Sequence, residues 1–98
     1  MTIATTPTDD AYQSLITHLT NCNDSKQIDA VLTALLTDKE RQEIANRIRI
    51  FDLLEQGTTQ REIADNLGVG IATVSRGAKA LQKHDISDLL ATHRQTQD

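Results

Sequence analysis

Hydrophobic residues recur at intervals of three and four positions along most of the chain, and no segment alternates as a β-strand would. This spacing places apolar side chains on one face of an α-helix. Short polar or glycine-containing breaks separate the segments, so the pattern predicts an all-α fold of about six short helices. The apolar positions are Tyr12, Leu15, Ile16 and Leu19 in the first helix; Ile28, Val31, Leu32, Leu35 and Leu36 in the second; Ile63 and Leu67 in the fourth; Ile71, Val74, Ala78 and Leu81 in the fifth; and Ile86, Leu89 and Leu90 in the sixth.

Helix ends carry recognisable capping residues. Thr37–Glu40 and Thr59–Glu62 each have the spacing of a capping box, in which a threonine hydroxyl and a glutamate three residues later bond to each other's backbone amides. Glycine is favoured where a helix ends in a left-handed residue. The predicted N-terminal caps are Ser25, Thr37, Thr59 and Asp85, and the predicted helix stops are Gly57 and Gly68.

The third predicted helix is apolar on nearly all sides, which is unusual for a chain of 98 residues. Such a helix is stable when it is buried on more than one side, and a small monomer has few other residues that could bury it. We therefore expect this helix to form the centre of a homodimer interface, with an interwoven arrangement. The alternative is a central helix in a monomeric bundle. The apolar residues are Ile44, Ile48, Phe51 and Leu54 on one face, with Ala45, Ile50 and Leu53 spread over the others.

The length predicts one domain rather than several. Residues 1–10 contain the single proline and read as a flexible arm, residues 11–92 as one helical domain, and residues 93–98 as a polar tail. The N-terminus is rich in threonine rather than basic and then apolar, so it does not resemble a secretory signal. Cys22 is the single cysteine and therefore cannot form an internal disulfide. These features favour a soluble cytoplasmic protein without a membrane partner.

Charge is distributed unevenly along the chain. The whole sequence has a net charge of −4, but residues 39–84 carry eight Lys and Arg against six Asp and Glu. Residues 1–38 and 85–98 are both net acidic. A local basic excess can attract phosphate groups even when the protein as a whole is acidic. The middle of the chain is thus the candidate for contact with nucleic acid.

Residues 59–81 have the spacing of a helix-turn-helix motif. Ala64 provides a small residue where the second helix crosses the first, Gly68 provides the turn, and Val74 provides the aliphatic residue that joins the pair. Ile63, Leu67, Ile71 and Leu81 are expected on the core side. The residues left facing outward are short, hydroxyl-bearing or cationic, which suits a helix in the DNA major groove. They are Ala72, Thr73, Ser75, Arg76 and Lys79.

The same region resembles the tryptophan repressor family. The matching segments include Leu36–Arg41, Arg47–Ile50 and Gln60–Glu62, and the most specific is Leu67–Gly77 followed by Leu81. The resemblance covers about half of the chain. It implies an interwoven all-helical homodimer that binds double-stranded operator DNA when L-tryptophan is present as corepressor.

The resemblance also implies roles for individual residues. Arg47 and Arg76 would hold the flat indole between their guanidinium planes, which stack well on aromatic rings. The carbonyl groups of Ala34 and Leu36 would accept from the ligand's ammonium group, and Thr37 would lie near its polar end. Gly77 would leave room for the ring, and Ala80 stands where the family commonly has a serine. The residues expected at DNA are Gln60, Arg61, Gly70, Ile71, Ala72, Thr73, Ser75, Arg76 and Lys79.

The sequence also leaves other functions open. The chain could be a DNA-binding relative that acts without tryptophan or with another effector, or a helical dimerisation or adaptor module that does not bind DNA. The outward cationic and hydroxyl residues of the fifth helix argue against an adaptor, which would present apolar anchors. The three histidines, His18, His84 and His93, have no metal-site spacing, and no nucleophile stands at a recognisable interval from a base. We therefore expect neither a metal cofactor nor an enzymatic activity.

Overall fold

The computed structural model describes the backbone of residues 7–97 and the side chains of residues 10–96. Within these residues the chain forms six α-helices and no β-strand, which confirms the all-α prediction. The chain separates into two compact units that divide between Asp38 and Lys39. The helices are α1 (Pro7–Asn21), α2 (Ser25–Leu35), α3 (Asp38–Glu55), α4 (Gln60–Leu67), α5 (Ile71–Lys83) and α6 (Ser87–Gln97).

The first unit contains α1 and α2. The N-cap of α2 is Asp24 rather than Ser25: Asp24 has an extended backbone, and its carboxylate accepts a 2.9 Å hydrogen bond from the Lys26 amide. Ser25 is already the first helical residue, so the predicted cap was wrong by one position. The aspartate satisfies an amide that the first helical turn leaves without a partner.

Apolar side chains of the first unit remain accessible to solvent. No residue of α2 is fully buried. Tyr12 and Leu35 are each 59% exposed, and Ile16 is also exposed. The helical stripes predicted from the sequence are therefore present, but within one copy of the described chain they are only partly covered.

The second unit is built around Ile50 of α3, Ile63 of α4 and Val74 of α5, which are all buried. Half-buried side chains surround this cluster: Leu53, Leu54, Ala64, Leu67 and Val69. The helix-turn-helix therefore packs directly against the second half of α3, and Val74 occupies the interior as predicted.

Two local signals shape the helix-turn-helix as the sequence predicts. Thr59 caps α4, where its hydroxyl oxygen accepts from the Glu62 amide at 3.2 Å. The same hydroxyl donates to the Glu62 carboxylate at 3.0 Å, so the glutamate bonds to the threonine side chain rather than to its amide. Gly68 ends α4 in the left-handed conformation, with φ of 68°. Its amide and that of Val69 both donate to the carbonyl oxygen of Ala64. The turn between α4 and α5 is thus closed by backbone hydrogen bonds.

Ile71 does not lie on the core side, where the sequence placed it. Its side chain is 52% exposed. Ile71 is the first residue of α5, directly after the Gly70 N-cap, and the helix reaches the core only at Val74. The apolar spacing correctly identified a helix but assigned its first member to the wrong environment.

Gly77 of α5 lies directly against Ile50 of α3. A β-carbon at this position would lie only 2.9 Å from Cγ2 of Ile50, which is closer than carbon atoms pack. Ile50 is itself buried, with 1% of its surface exposed. A larger residue at position 77 would therefore force the Ile50 side chain or one of the two helices to shift.

Helical structure extends into both terminal segments that the sequence predicted as arm and tail. Helix α1 is described from Pro7 onward, within the segment predicted as the arm. The first six residues of the predicted arm lie outside the described residues. Helix α6 continues to Gln97, and its Arg94 bonds to Asp52 at 2.6 Å and to Glu55 at 2.7 Å. These two contacts with the end of α3 hold the predicted tail in the fold.

Asp85 accepts hydrogen bonds from both the hydroxyl and the amide of Ser87, the first residue of α6. These bonds lower the pKa of the Asp85 carboxyl group. The residue directly before the helix is Ile86, so the predicted cap was wrong by one position. Leu90, in the middle of α6, is fully buried. None of the described helices is both long enough and apolar enough to cross a membrane.

Gly77→Ala is predicted to lower the free energy of unfolding by about 1–2 kcal/mol, because the new methyl group overlaps with a buried branched side chain. Chemical denaturation measures the change. At an exposed helical position, glycine is less stable than alanine by up to about 1 kcal/mol. Ala91→Gly on α6 measures this intrinsic difference at an exposed position and is the reference for Gly77→Ala. A Gly77→Ala variant more stable than the wild type would show that the close approach does not exist.

Asp52→Asn is predicted to destabilise the protein near neutral pH and to have less effect in acid. Burial raises the pKa of Asp52, but hydrogen bonds from Arg94 and Gln56 and the charge of Arg94 outweigh it, so the pKa is lowered overall. A carboxyl group with a lowered pKa stabilises the folded state above the pKa of the unfolded chain, about 3.9, and loses this contribution as the pH falls through its folded pKa.

The measurement is urea denaturation of wild type and Asp52→Asn at several pH values from 7 to 3. The difference in unfolding free energy is expected to shrink below about pH 4. The same comparison in an Arg94→Gln background should show a smaller difference at pH 7, because Arg94 is the main partner. A difference that is constant from pH 7 to 3 would contradict the assignment.

Candidate nucleic-acid interface and ligand cavity

The residues predicted to contact DNA lie on α4, on α5 and in the turn between them. Side chains of Gln60, Thr73 and Ser75 are half-buried, whereas the remaining positions are exposed. Between residues 60 and 83, four cationic side chains stand against two acidic ones. The exposed positions are Arg61, Gly70, Ile71, Ala72, Arg76 and Lys79.

The N-terminus of α5 opens to solvent. Gly70 is its N-cap and provides no side-chain hydrogen bond, and nothing lies within 4 Å of the position that a β-carbon would occupy there. The amides of Thr73 and Val74 donate to the Gly70 carbonyl oxygen, whereas those of Ile71 and Ala72 belong to the first turn, where helices leave amides unpaired. Such amides and the helix dipole can bind a phosphate oxygen.

A cavity of about 300 Å³ lies between α3 and α5. Its volume is at the lower end of the range for small-molecule sites. Each helix contributes residues at positions i, i+3, i+4 and i+7, which is one continuous helical face, and Val69 of the turn completes the wall. The lining residues are Glu43, Asn46, Arg47 and Ile50 of α3, Thr73, Arg76, Gly77 and Ala80 of α5, and Val69.

Four of the residues predicted to bind a ligand meet in this cavity: Arg47, Arg76, Gly77 and Ala80. The other three, Ala34, Leu36 and Thr37, lie in the first unit, where α2 ends and the chain leads to α3. The structure gives Gly77 a packing role against Ile50 in addition to the room for a ring that was expected from it.

Sequence reasoning missed five residues of the cavity wall: Glu43, Asn46, Ile50, Val69 and Thr73. Three of them could have been found from Arg47, because Glu43, Asn46 and Ile50 lie on the same helical face as that arginine. Thr73 lies three positions before Arg76 and was considered only as a DNA contact. Val69 could not be found from helical spacing, since it belongs to the turn.

The lining of the cavity is partly apolar and partly charged or polar. Ile50, Val69 and Ala80 provide the apolar surface, and two guanidinium groups and one carboxylate carry the charge. Arg76 is held weakly, with Nη2 3.5 Å from the Thr73 hydroxyl. Asn46 accepts from Arg49 at 3.2 Å. This arrangement suits a small ligand with a flat apolar group, a carboxylate for a guanidinium and a cationic group for Glu43.

No group of three or more His, Cys, Asp or Glu residues that could hold a metal ion occurs among the side chains that the structure describes. Cys22 is a half-buried free thiol in the first unit. His93 lies 3.9 Å from Asp52 and belongs to the ion-pair cluster at α6.

The sequence profile of the Trp repressor protein family matches residues 10–94. A Trp operon repressor homolog of Xylella fastidiosa (strain 9a5c) is 37% identical over 81 residues, which are 82% of this chain and 88% of the relative. Homologs of the same name from Vibrio campbellii and Vibrio vulnificus are 35% and 38% identical, and the matches cover 79% and 72% of this chain and 78% and 71% of the relatives. This chain therefore belongs to the Trp repressor family of transcriptional regulators.

Proposed function

We propose that the protein is a transcriptional repressor that binds operator DNA through α4 and α5 when L-tryptophan occupies the cavity between α3 and α5. One observation carries this proposal: helix α5 contributes one wall of the cavity and also the outward face expected at DNA. Arg76 belongs to both sets, since it lines the cavity and is exposed on α5. A ligand in the cavity therefore contacts the helix expected to read the DNA.

The chemistry of the cavity supports an amino acid with an aromatic side chain. Arg47 and Arg76 can stack on the two faces of an indole, and a guanidinium can also pair with a carboxylate. The relatives are named Trp operon repressor homologs, which makes L-tryptophan the first ligand to test.

The ammonium group of the ligand needs acceptors. The family resemblance assigns the carbonyl oxygens of Ala34 and Leu36 to it and places Thr37 near the ligand's polar end. Ala80 has no hydroxyl to add to this set. Glu43, a carboxylate in the cavity wall, offers a charged acceptor that the resemblance does not provide.

The bound ligand would act as a wedge between α3 and α5. It can favour DNA binding only as far as it binds more tightly to the conformation that fits DNA. In that conformation the cationic residues Arg61 and Lys79 would attract phosphates, and the residues at the start of α5 would approach the base edges.

We further propose that the functional unit is a homodimer. Within the described chain only Ile50, Ile63, Val74 and Leu90 are fully buried among the large apolar residues, and Ile50 is the one buried residue of α3. Ile44 of α3 is 45% exposed, and large apolar residues of α1, α2 and α6 are exposed as well. A second copy would cover these surfaces, as the apolar distribution on α3 predicts.

Arg47→Ala is predicted to abolish the response to L-tryptophan while weak, ligand-independent DNA binding remains. Arg76→Ala is predicted to abolish ligand binding and DNA binding together, because this residue serves both. Calorimetry measures the uptake of L-tryptophan, and fluorescence anisotropy measures binding to a duplex selected from a random-sequence library by the wild type with L-tryptophan.

Lys83→Ala is the matched control, since it removes a cation from the end of α5 that does not line the cavity. It should keep its affinity for L-tryptophan within about two-fold. If the wild type selects a duplex but takes up no L-tryptophan at millimolar concentration, the protein acts without tryptophan or with another effector. If it selects no duplex with or without L-tryptophan, the adaptor alternative is supported.

The wild type is predicted to sediment at low micromolar concentration as a species near twice the chain mass of 10.8 kDa. Ile44→Glu should dissociate or unfold the protein, because it places a charge on the apolar surface of α3. Ile71→Glu alters an isoleucine of similar exposure on α5 and should leave the mass unchanged. A well-folded wild-type monomer at this concentration would refute the dimer.

A further inference from the structure

One side-chain hydrogen bond joins the two helices of the helix-turn-helix. The hydroxyl of Ser75 donates to Oε1 of Gln60 at 2.7 Å, although the two residues are 15 positions apart. Both side chains are half-buried, so water competes with this bond less than it would at an open surface. Both residues were expected from the sequence to contact DNA, but nothing in the sequence indicated that they contact each other.

The positions of Gln60 and Ser75 in their helices show where the Ser75 hydroxyl points. Gln60 is the first residue of α4 and follows the Thr59 cap. Ser75 lies on α5 three positions after Ala72 and four before Lys79, both of which are exposed. Ser75 is therefore at the inner edge of the outward face of α5, and its hydroxyl points back to the start of α4.

The number of N–H and O–H protons that each side chain can donate gives the two residues different roles. A serine hydroxyl has one proton, and here that proton is used for Gln60. The hydroxyl oxygen of Ser75 can still accept, but it cannot donate to phosphate oxygens or to the acceptors of the major groove. The side-chain amide of Gln60 keeps two N–H donors, which are the groups that phosphate oxygens and the purine N7 and O6 atoms require.

We propose that Ser75 is a positioning residue for DNA binding: its hydroxyl holds the Gln60 amide so that the two N–H donors face the DNA, and Ser75 itself does not donate to DNA. A free glutamine side chain has several rotatable bonds, and fixing one rotamer before binding lowers the entropy lost on complex formation. This inference rests on the proposed function, since it requires that α4 and α5 bind DNA.

The test is a double-mutant cycle on the duplex selected by the wild type, with L-tryptophan present. Gln60→Ala and Ser75→Ala are each expected to weaken binding by about five- to ten-fold. The double variant is expected to be no weaker than Gln60→Ala alone, because Ser75 acts only through Gln60. Ser75→Thr keeps the hydroxyl and should bind within about two-fold of the wild type.

Arg61 provides the matched control, because it is the neighbour of Gln60 and is exposed without a bond to Ser75. The effects of Arg61→Ala and Ser75→Ala should multiply. Arg61→Ala should also reduce the slope of log affinity against log salt by about one unit, whereas Ser75→Ala should leave the slope unchanged.

Multiplied effects of Gln60→Ala and Ser75→Ala would overturn the inference and show that Ser75 contacts the DNA independently. Loss of binding in Ser75→Thr as large as in Ser75→Ala would also overturn it. A wild type that selects no duplex refutes the proposed function itself, which is a separate result. Circular dichroism and denaturation of each variant show whether the helix pair is folded, and coupling between the two substitutions in the unfolding free energy reports the hydrogen bond without DNA.

Discussion

The contact between Gly77 of α5 and Ile50 of α3 sets the geometry of the second unit. Because glycine has no side chain, the two helices can approach until Ile50 fills the space that a β-carbon would need. The same Ile50 belongs to the buried cluster with Ile63 of α4 and Val74 of α5. The contact between α3 and α5 and the packing of α4 therefore depend on the same side chain. Close-packed protein interiors transmit a displacement of one element to the next. A change at the crossing would therefore move the whole helix-turn-helix.

The cavity is a direct result of this crossing. Gly77 and Ile50 line it themselves, and the longer side chains of Arg47, Glu43 and Arg76 form its walls. Helix α5 thus has one face toward the cavity and one face toward solvent. Under the proposed function, the ligand and the DNA both interact with the same short helix, and their coupling needs no long pathway through the protein. A ligand can shift the equilibrium only by its differential affinity for the two states, and the walls of α3 and α5 are where that difference would arise.

Polar contacts between residues distant in sequence join helices of the second unit, in addition to the apolar core. Arg94 bonds to Asp52 and Glu55 and thereby joins the last helix to the end of α3, across 42 and 39 positions of sequence. Ser75 bonds to Gln60 across 15 positions and joins the two helices expected at DNA. Apolar side chains of α1 and α2 and Ile44 of α3 remain exposed to solvent. One copy of the described chain therefore does not bury all the apolar surface of its helices. The proposed homodimer covers this surface, and it accounts for a third helix with apolar residues on nearly all sides.

Local patterns in the sequence determined the helices, the Thr59 cap, the Gly68 turn and the interior position of Val74, because each depends on residues a few positions apart. The motif between Leu67 and Gly77 was specific enough to indicate the family, and the arginines of the cavity followed from that resemblance. Tertiary structure alone decided the exposure of Ile71, the extension of α6 to Gln97, and the polar walls of the cavity formed by Glu43, Asn46 and Thr73. It also decided the bond between Ser75 and Gln60. Helical periodicity reports which residues share a face, but it does not report which face of another helix lies opposite. That information depends on packing between residues distant in sequence, and here it depends on the close approach that Gly77 permits.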